Sequence, residues 1–435
     1  MSNQWQPNPG NPGVVDPALL PADPYAQPGA YAPPEAYGPA DAYGPTDAYA
    51  PVIGGPPFAP AGAPMPADPR EAVSSAPETN FSAPPTPDQN GLSLQPRSAV
   101  DVLTGLSDKV SRGAVSEYQP IPLGMSPLDR TLGGGIRSGE LMLIGGAQGT
   151  GKTTMSLQIA RNIAQSGQAT VLYVCFEHDE EYLLSRMVAM ESALSGAMPP
   201  NPNSSVKIQD VRREVLGTWL AQGGGSADAG MADLRGNPRL RPALERIGRF
   251  GQSLFLLRGS HSATTAANLR RLVEAYRRDA PTRPLVIFID YLQRVPVVPD
   301  PPDEAEKVTN VVAGLKDIAL SLGVAVVAIV AADKEGLKAS RLRNHHLRGS
   351  SALNYESDVI LILNEKYAIV AKVNIEFNPY QAQRFRDWTI LTVEKNRSGR
   401  DAVDLEFEKH FEYSCFDPNG RQVQEKLIEE RLYND

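Results

Sequence analysis

From about residue 118 onward, short apolar runs alternate with longer stretches that repeat apolar residues at helical spacing. Such runs are typical of strands buried on both faces of a sheet, and the periodic stretches are typical of connecting helices. The predicted strands are 141–144, 170–175, 254–257, 285–289, 325–330, 359–363 and 388–394. The predicted helices lie near 152–165, 178–195, 240–250, 264–278 and 303–322. This alternation predicts an α/β domain over residues 118–435, with a mostly parallel central sheet flanked by helices.

A short amphipathic helix is predicted before this domain, within a linker at residues 98–117. Val102, Leu103, Leu106 and Val110 recur at helical spacing and therefore share one face. That face needs a partner surface. The domain's own core and a neighbouring subunit are both possible partners.

Residues 1–97 differ sharply in composition from the rest of the chain. They are rich in Pro, Ala, Gly and Tyr and poor in Leu, Ile and Val, so burial cannot offset the cost of ordering the backbone. We expect a disordered, low-complexity tail that carries a degenerate six-residue repeat of the form Ala-Tyr-x-Pro between residues 30 and 51. Composition favours a solvated tether. The alternative is a tail that docks protein partners or associates with itself through its evenly spaced tyrosines.

A second irregular stretch, at about residues 195–237, contains Pro-Pro-Asn-Pro and Gly-Gly-Gly runs. Loops of this length inside compact domains are usually functional or disordered. We expect an insertion into the α/β domain with one helix of its own.

The charge of the chain belongs mainly to the tail. The first 100 residues hold two arginines and nine acidic residues, which is about −7 of the net −8, so charge alone does not decide whether the domain binds nucleic acid. The two cysteines, Cys175 and Cys415, form neither a disulfide framework nor a zinc pattern. The chain lacks an 18-residue apolar run and a charged-then-apolar start. We therefore expect a cytoplasmic protein that does not enter membranes.

Residues 145–154 read Gly-Gly-Ala-Gln-Gly-Thr-Gly-Lys-Thr-Thr, between a predicted strand and a predicted helix. They fit the phosphate-binding pattern G-x-x-x-x-G-K-[ST], in which glycines let backbone N–H groups surround a phosphate at a helix N-terminus. Lys152 would supply a charge for the β- and γ-phosphates, and Thr153 a hydroxyl ligand for Mg²⁺. The predicted nucleotide-binding residues are Gly146, Gln148, Gly149, Thr150, Gly151, Lys152, Thr153 and Thr154. ATP and Mg²⁺ are the expected ligands.

Two carboxylates follow predicted strands, at the edge of the sheet where ligands of parallel α/β folds gather. Asp290 ends the run Leu-Val-Ile-Phe-Ile and is expected to hold Mg²⁺. Glu177 follows the strand at 170–175 and is positioned to deprotonate an attacking water. The alternative for Glu177 is a solvated acidic helix start, because Asp179, Glu180 and Glu181 follow it.

Cations concentrate at two further places. Lys395 and Arg397 are separated by one residue on a predicted strand and so project the same way. They either complete the phosphate site of a neighbouring subunit or form a basic surface turn. Residues 333–350 are nearly devoid of apolar side chains, which suits a loop that contacts single-stranded DNA or a merely solvated loop. The DNA-binding candidates are Lys334, Lys338, Arg341, Arg343 and Arg348.

Taken together, residues 120–405 resemble the C-terminal ATPase domain of DnaB-type replicative helicases, which belong to the RecA-like ring ATPases. The resemblance rests on the phosphate loop and on the segments Pro-Leu-Gly at 122–124, Phe-Glu at 176–177, Asp-Tyr-Leu-Gln at 290–293, Leu-Arg-Gly-Ser at 347–350 and Lys-Asn-Arg-Ser-Gly at 395–399. It implies that Glu177 is the catalytic glutamate and that Lys395 and Arg397 act on the next subunit of a hexameric ring. It also implies that the helix near 100–110 docks on that subunit.

The chain departs from that family in three ways. It has the tail in place of a folded helical N-terminal domain, and its insertion at 195–237 is long. Ala331 and Ala332 stand where the family usually has a polar residue that senses the γ-phosphate.

The resemblance predicts an ATP-dependent helicase or translocase that acts on single-stranded DNA in replication. One alternative is a RadA/KaiC-like recombination or regulatory ATPase that binds DNA without unwinding it. The other is a scaffold that assembles on binding ATP.

Overall fold

The described residues of the chain, in a computed structural model, are 96–113, 115, 118–221, 234–370, 383–424 and 427. Residues 1–95 of the predicted tail lie outside them, so its disorder and its docking role remain predictions. Residues 222–233 of the predicted insertion also lie outside them.

Helices and strands alternate along the domain as the sequence pattern predicts. The helices are α1 Ala99–Ser111, α2 Leu128–Thr131, α3 Lys152–Ser166, α4 Glu180–Leu194, α5 Ile208–Ala221, α6 Arg241–Phe250, α7 Ala266–Asp279, α8 Glu304–Leu322, α9 Ala352–Glu356 and α10 Lys366–Ile369. The strands are β1 Leu141–Gly146, β2 Thr170–Cys175, β3 Leu254–Arg258, β4 Leu285–Asp290, β5 Ala325–Ala331, β6 Val359–Glu365, β7 Trp388–Asn396, β8 Val403–His410, β9 Cys415–Phe416 and β10 Arg421–Gln422. All the predicted strands and helices are present. The insertion contributes α5.

The strands form one sheet in the order β10-β8-β7-β6-β1-β5-β4-β2-β3, with β9 paired to β8. The segment from β6 to β3 is parallel, whereas β7 to β10 pair in antiparallel fashion. The register places Gly146 beside Ala331, and Cys175 beside Asp290. The carboxyl ends of the parallel strands therefore meet at one edge of the sheet. The predicted α/β architecture is confirmed.

The strands alternate their side chains between two cores, one on each face of the sheet. On one face, Met142 and Ile144 of β1 pack with side chains of α3, α4 and α6. On the other face, Leu141 and Leu143 pack with side chains of α7 and α8. Because both faces are covered, the central strands are apolar throughout, which is the pattern seen in the sequence.

Helix α1 begins with a capping box, in which the Ser98 hydroxyl accepts a hydrogen bond from the Asp101 N–H at 3.1 Å. None of its residues is buried, and Leu103 is 62% exposed. Its apolar face is therefore open to a partner. Within the described ranges, no helix is both long and apolar enough to cross a membrane.

Candidate functional site

The phosphate loop connects β1 to α3 and depends on glycine at two positions. Gly149 and Gly151 have φ angles of 83° and 96°, in the left-handed region that side chains with a Cβ rarely adopt. At Gly151 a Cβ would also lie 2.6 Å from the Phe411 ring. Helix α3 starts at the next residue, so its N-terminal N–H groups face the concave side of the loop.

This loop borders a cavity of about 490 Å³ at the carboxyl edge of the sheet. The predicted residues that line the cavity are Gly146, Gln148, Gly149, Gly151, Lys152, Thr153, Thr154, Glu177 and Asp290. Thr150 is buried instead, and its hydroxyl donates to the Ala147 carbonyl at 2.9 Å. The structure thus collects residues that are more than 140 positions apart in the sequence around one space.

Lys152 crosses the mouth of the loop. Its ammonium donates to the Ala147 carbonyl at 2.8 Å. Burial lowers the pKa of Lys152, and the neighbouring charges of Asp290 and Glu177 act in the opposite direction. A bound polyphosphate would add further negative charge and favour the ammonium form.

Asp290 ends β4 and is almost fully buried at the floor of the cavity. Burial raises the pKa of its carboxyl to about 6, although hydrogen bonds from Thr153 and Tyr173 partly oppose the shift. The Tyr173 hydroxyl donates to Asp290 Oδ2 at 3.1 Å and lies 2.8 Å from the Ser156 hydroxyl. The two residues predicted to hold Mg²⁺, Thr153 and Asp290, are therefore direct neighbours.

These two residues suit a hydrated magnesium ion. Mg²⁺ is usually held by one or two protein oxygens together with nucleotide phosphates and water. In the described part of the chain, no cluster of three or more His, Cys, Asp and Glu side chains could hold a metal by itself. A hydroxyl and a buried carboxylate beside a phosphate loop match the donor set that Mg²⁺ uses with a nucleotide.

Glu177 follows β2 and lines the same cavity with an exposed side chain. Helix α4 begins only at Glu180, with Asp179 as its N-cap, so Glu177 is not part of the acidic first turn. Its carboxylate is free of the helix cap and can face a group bound in the cavity.

Sequence reasoning missed several residues that line the cavity, and two of them, Arg186 and Phe411, contact the start of α3 or the loop. The Arg186 guanidinium donates to the Thr154 hydroxyl at 2.6 Å and to the Ser414 hydroxyl at 2.9 Å. Phe411 packs over Gly151 and edge-on against Phe416, at 5.4 Å between ring centroids. The position of Arg186 on the helix that follows Glu177 was only a weak sequence signal that Arg186 lines the cavity. Phe411 gave none, because only the fold brings it to the loop.

Lys395 and Arg397 lie at the opposite edge of the sheet from the phosphate loop. Lys395 pairs with Ile360 near the start of β6, whereas Gly146 lies level with Leu363 near its end. The Lys395 ammonium donates to the Ser357 carbonyl at 2.6 Å, and Arg397 forms an ion pair with Asp358 at 3.1 Å. The structure does not bring either cation to the phosphate loop of its own chain.

The cations of residues 333–350, hereafter the basic segment, are not equivalent. Lys334 and Lys338 are exposed. Arg341 is buried and forms an ion pair with Asp404 at 2.5 Å, so its prediction as a DNA contact is withdrawn. Arg343 is paired with Glu394 at 2.9 Å, and Arg348 with Glu304 at 2.8 Å.

A second cavity, of about 860 Å³, lies along the basic segment and is lined by Lys334, His345 and Arg348 among others. Ala332 and Leu337 line both this cavity and the one at the phosphate loop. The basic segment is therefore next to the candidate nucleotide site.

Parts of the chain match known proteins in sequence. Residues 124–336 match the family described as AAA domain. The DNA repair protein RadA of Streptococcus pyogenes is 44% identical over 69 residues, which is 16% of this chain and 15% of that relative. RadA of Mycobacterium tuberculosis is 48% identical over 59 residues, or 14% of this chain and 12% of that relative. The chain thus spans well under a fifth of the length of these relatives.

Two solved structures share the fold. The first, an isolated ATPase domain, superimposes with a TM-score of 0.55 at 18% identity, covering 74% of this chain and 99% of that one. The second, a DnaB-like replicative helicase described together with its interactions with primase, gives a TM-score of 0.52 at 18% identity and covers 75% and 68%. The predicted resemblance is confirmed at the level of fold: the chain shares the fold of an ATPase domain and of a DnaB-like replicative helicase.

Proposed function

We propose that this chain is a Mg²⁺-dependent ATPase that works as a DnaB-like helicase or translocase on single-stranded DNA in replication. The observation that carries the proposal is the single cavity in which the phosphate loop, Asp290 and Glu177 meet at the carboxyl edge of the sheet. A phosphate, a metal ion and an attacking water would adjoin there, as phosphoryl transfer requires. Cytoplasmic location is part of the same proposal.

The loop and α3 would bind the triphosphate of ATP. Backbone N–H groups of residues 146–154 and the Lys152 ammonium would neutralise its oxygens. Thr153 and Asp290 would hold Mg²⁺, which when bound neutralises charge on the β- and γ-phosphates. The Tyr173 hydrogen bond holds the Asp290 carboxylate in place for this task.

Glu177 would act as the general base. Its carboxylate accepts a proton from a water whose oxygen attacks the γ-phosphorus, while the bond from that phosphorus to the bridging oxygen breaks. ADP leaves with the bridging oxygen, and the proton stays on Glu177 until phosphate is released. The exposed position of Glu177, clear of the α4 cap, supports this role.

A ring of copies would complete the site. Lys395 and Arg397 face the edge opposite their own phosphate loop, so a second copy is the natural recipient of their charge. The apolar face of α1 offers a docking element for a neighbouring subunit. We propose that the ring is a hexamer, in line with the family resemblance. Docking of protein partners is proposed for the tail.

The basic segment would bind the phosphates of single-stranded DNA through Lys334, Lys338 and Arg348, with Arg343 as a weaker candidate. It borders the nucleotide cavity, which places it where hydrolysis can move it. Local similarity to RadA supports the second candidate, a DNA-binding ATPase that does not unwind duplexes. A scaffold that assembles on ATP is the third.

One set of measurements separates these functions. The ATPase rate is measured with and without an oligo-dT strand, beside strand displacement on a forked duplex and native mass. A helicase shows stimulated hydrolysis, displacement and a ring. Stimulation without displacement favours the RadA-like function, and assembly that persists with hydrolysis abolished favours the scaffold.

Two variants test the assigned residues in the same assays. Lys152→Ala is expected to lose ATP binding. Glu177→Gln is expected to keep ATP binding and to lose hydrolysis by at least about 100-fold, the usual scale for a general base. If Glu177→Gln hydrolyses ATP at the parent rate, Glu177 is not the base.

A further inference from the structure

Gln293 bridges the end of β5 and the return of the basic segment. Its amide oxygen accepts a hydrogen bond from the Ala331 N–H at 3.3 Å, and its amide nitrogen donates to the Arg348 carbonyl at 2.8 Å. Gln293 lies three residues after Asp290, and the intervening Leu292 is fully buried. The amide therefore projects from an anchored turn that begins at the floor of the nucleotide cavity.

Backbone hydrogen bonds next to the Gln293 contacts hold the two ends of the basic segment together. The Arg348 N–H donates to the Ala331 carbonyl at 2.8 Å, and the Asp333 N–H donates to the His346 carbonyl at 2.9 Å. Ala332 and Leu347 pair in antiparallel fashion between these two bonds. The segment thus leaves β5 and returns to it as a hairpin. Gln293 forms a hydrogen bond at each end of this hairpin.

The hairpin starts beside the phosphate loop. Ala331 pairs with Gly146 across β5 and β1, and both residues line the nucleotide cavity. Neither Ala331 nor Ala332 has a polar side chain that could report on a phosphate. Two hydrogen bonds nevertheless link the Ala331 N–H to the Gln293 amide and that amide to the Arg348 carbonyl, so a shift of the backbone at Ala331 has a route to Arg348.

We propose that Gln293 is a positioning residue that couples the nucleotide state of the cavity to the basic segment, in place of a polar side chain at positions 331–332. The inference rests on the proposed function in requiring that the cavity bind a nucleotide. It adds the route by which that binding reaches the surface proposed for DNA. Gln293 need not touch the nucleotide for this.

Hydrogen exchange on the full chain tests the coupling without DNA. Exchange is followed in peptides covering 145–154 and 333–350, with and without Mg²⁺ and a non-hydrolysable ATP analogue. In the parent, the analogue is expected to slow exchange in both peptides. In Gln293→Met, which keeps the length of the side chain and removes both hydrogen bonds, we expect protection at 145–154 to persist. The change at 333–350 should fall at least threefold.

Two further variants sharpen the result. Gln293→Glu can still accept from the Ala331 N–H but cannot donate to the Arg348 carbonyl, so it should also uncouple the hairpin. Gln168→Met makes the same chemical change at an exposed position between α3 and β2, and should behave as the parent.

The outcomes separate the coupling from the function on which it rests. Failure of the analogue to protect 145–154 in the parent would overturn both the proposed function and the coupling. Protection at 145–154 with no change at 333–350 in the parent, or an undiminished change in Gln293→Met, would overturn the coupling alone.

Discussion

The most consequential single residue is Asp290, a carboxyl buried on the floor of a cavity whose described lining includes only two cations, Lys152 and Arg186. Its ionised form is favoured only weakly in the free protein. A bound metal reverses this, because it interacts with the carboxylate and not with the acid. The residue therefore makes the free protein less stable and the liganded protein more stable as pH rises.

This gives a pH-dependent prediction. Because the pKa of Asp290 is raised to about 6, the folded state holds its proton more tightly than the unfolded state, and stability is lost as pH rises from about 4 to about 6. Above that range the loss is about 3 kcal/mol, from about two pKa units. In metal-free and nucleotide-free buffer, Asp290→Asn should therefore unfold at a higher temperature than the parent at pH 7.5.

Thermal unfolding at several pH values checks this expectation. The advantage of the variant should shrink toward pH 4. It should be reversed by Mg²⁺ with an ATP analogue, which stabilises only the parent. A variant that is less stable than the parent at every pH would contradict the raised pKa.

Arg186 supports a second prediction at the residue scale. Its guanidinium joins Thr154 of α3 to Ser414, which follows β8, and lines the nucleotide cavity. Charge-assisted hydrogen bonds of this kind contribute about 1.5–3 kcal/mol. We expect Arg186→Met to weaken binding of an ATP analogue roughly tenfold or more, measured by calorimetry. Arg186→Lys keeps the charge but not the fork, so an unchanged affinity in both variants would show that the guanidinium only ties elements together.

At the scale of elements, the sequence predicted what local pattern encodes. The seven predicted strands and the main helices are present because their apolar periodicity is determined by burial on one or two faces. Glu177 and Asp290 could be predicted because each directly follows a strand, and parallel strands end at a common edge. Strand β8 alternates apolar and polar residues over its first six positions, 403–408, yet was not predicted, since such alternation is common in exposed segments.

One wall of the site comes from the segment between β8 and β9, and it could not be predicted from the sequence. Phe411 reaches the phosphate loop, and Ser414 reaches Arg186, only because β7, β8 and β9 fold back beside α3. No local sequence signal specifies that approach. The same limit explains Arg341. A run of cations looked like a uniformly exposed surface, but Asp404, which lies on a distant strand, buries one of them.

The contact between β9 and α3 yields a prediction of its own. The Gln158 amide donates to the Phe416 carbonyl at 2.9 Å and accepts from the Phe416 N–H at 2.8 Å, and its side chain is fully buried. Gln158→Leu leaves both backbone groups without partners, which costs about 1–3 kcal/mol for each. We expect a lower denaturant midpoint and weaker binding of the ATP analogue. The segment between β8 and β9 carries both Phe411 and the Ser414 hydroxyl that holds Arg186.

Urea unfolding and analogue titration measure the two effects side by side. The exposed Gln168→Leu serves as the matched control. If Gln158→Leu is destabilised but binds the analogue as tightly as the parent, the segment between β8 and β9 has a structural role only.

At the scale of the whole molecule, the two groups of residues proposed to act on ATP lie at opposite edges of the sheet. The phosphate loop, Glu177 and Asp290 lie at one edge, and Lys395 and Arg397 lie at the other. Under the proposed function, a single copy therefore carries the two parts of the ATP site at edges that cannot meet. Assembly of several copies would bring the halves of different copies together, and α1 supplies an exposed apolar surface for it.

This arrangement predicts that α1 controls both assembly and activity. The double variant Leu103→Asp, Leu106→Asp charges its apolar face and should lower native mass toward the monomer, with at least a tenfold loss of ATPase rate. Thr104→Asp with Ser111→Asp adds the same charge to the polar face of the helix and should leave both unchanged. Native mass spectrometry and a steady-state ATPase assay read the two effects. Full assembly of the Leu103, Leu106 variant would rule out α1 as the docking element.

The packing of Phe411 and Phe416 over Gly151 has a consequence for the order in which the protein becomes competent. A ribosome adds about 5–20 residues per second, so these two rings emerge roughly 13–50 s after the glycine that they cover. Until then the phosphate loop lacks one wall, as well as the Ser414 contact that holds Arg186. Newly made chains would thus pass through a period in which the loop, Glu177 and Asp290 exist but the proposed ATP site lacks this wall. Under the proposed function, ATP hydrolysis would begin only after the late-synthesised segment with Phe411 and Phe416 has folded onto the early-synthesised α3.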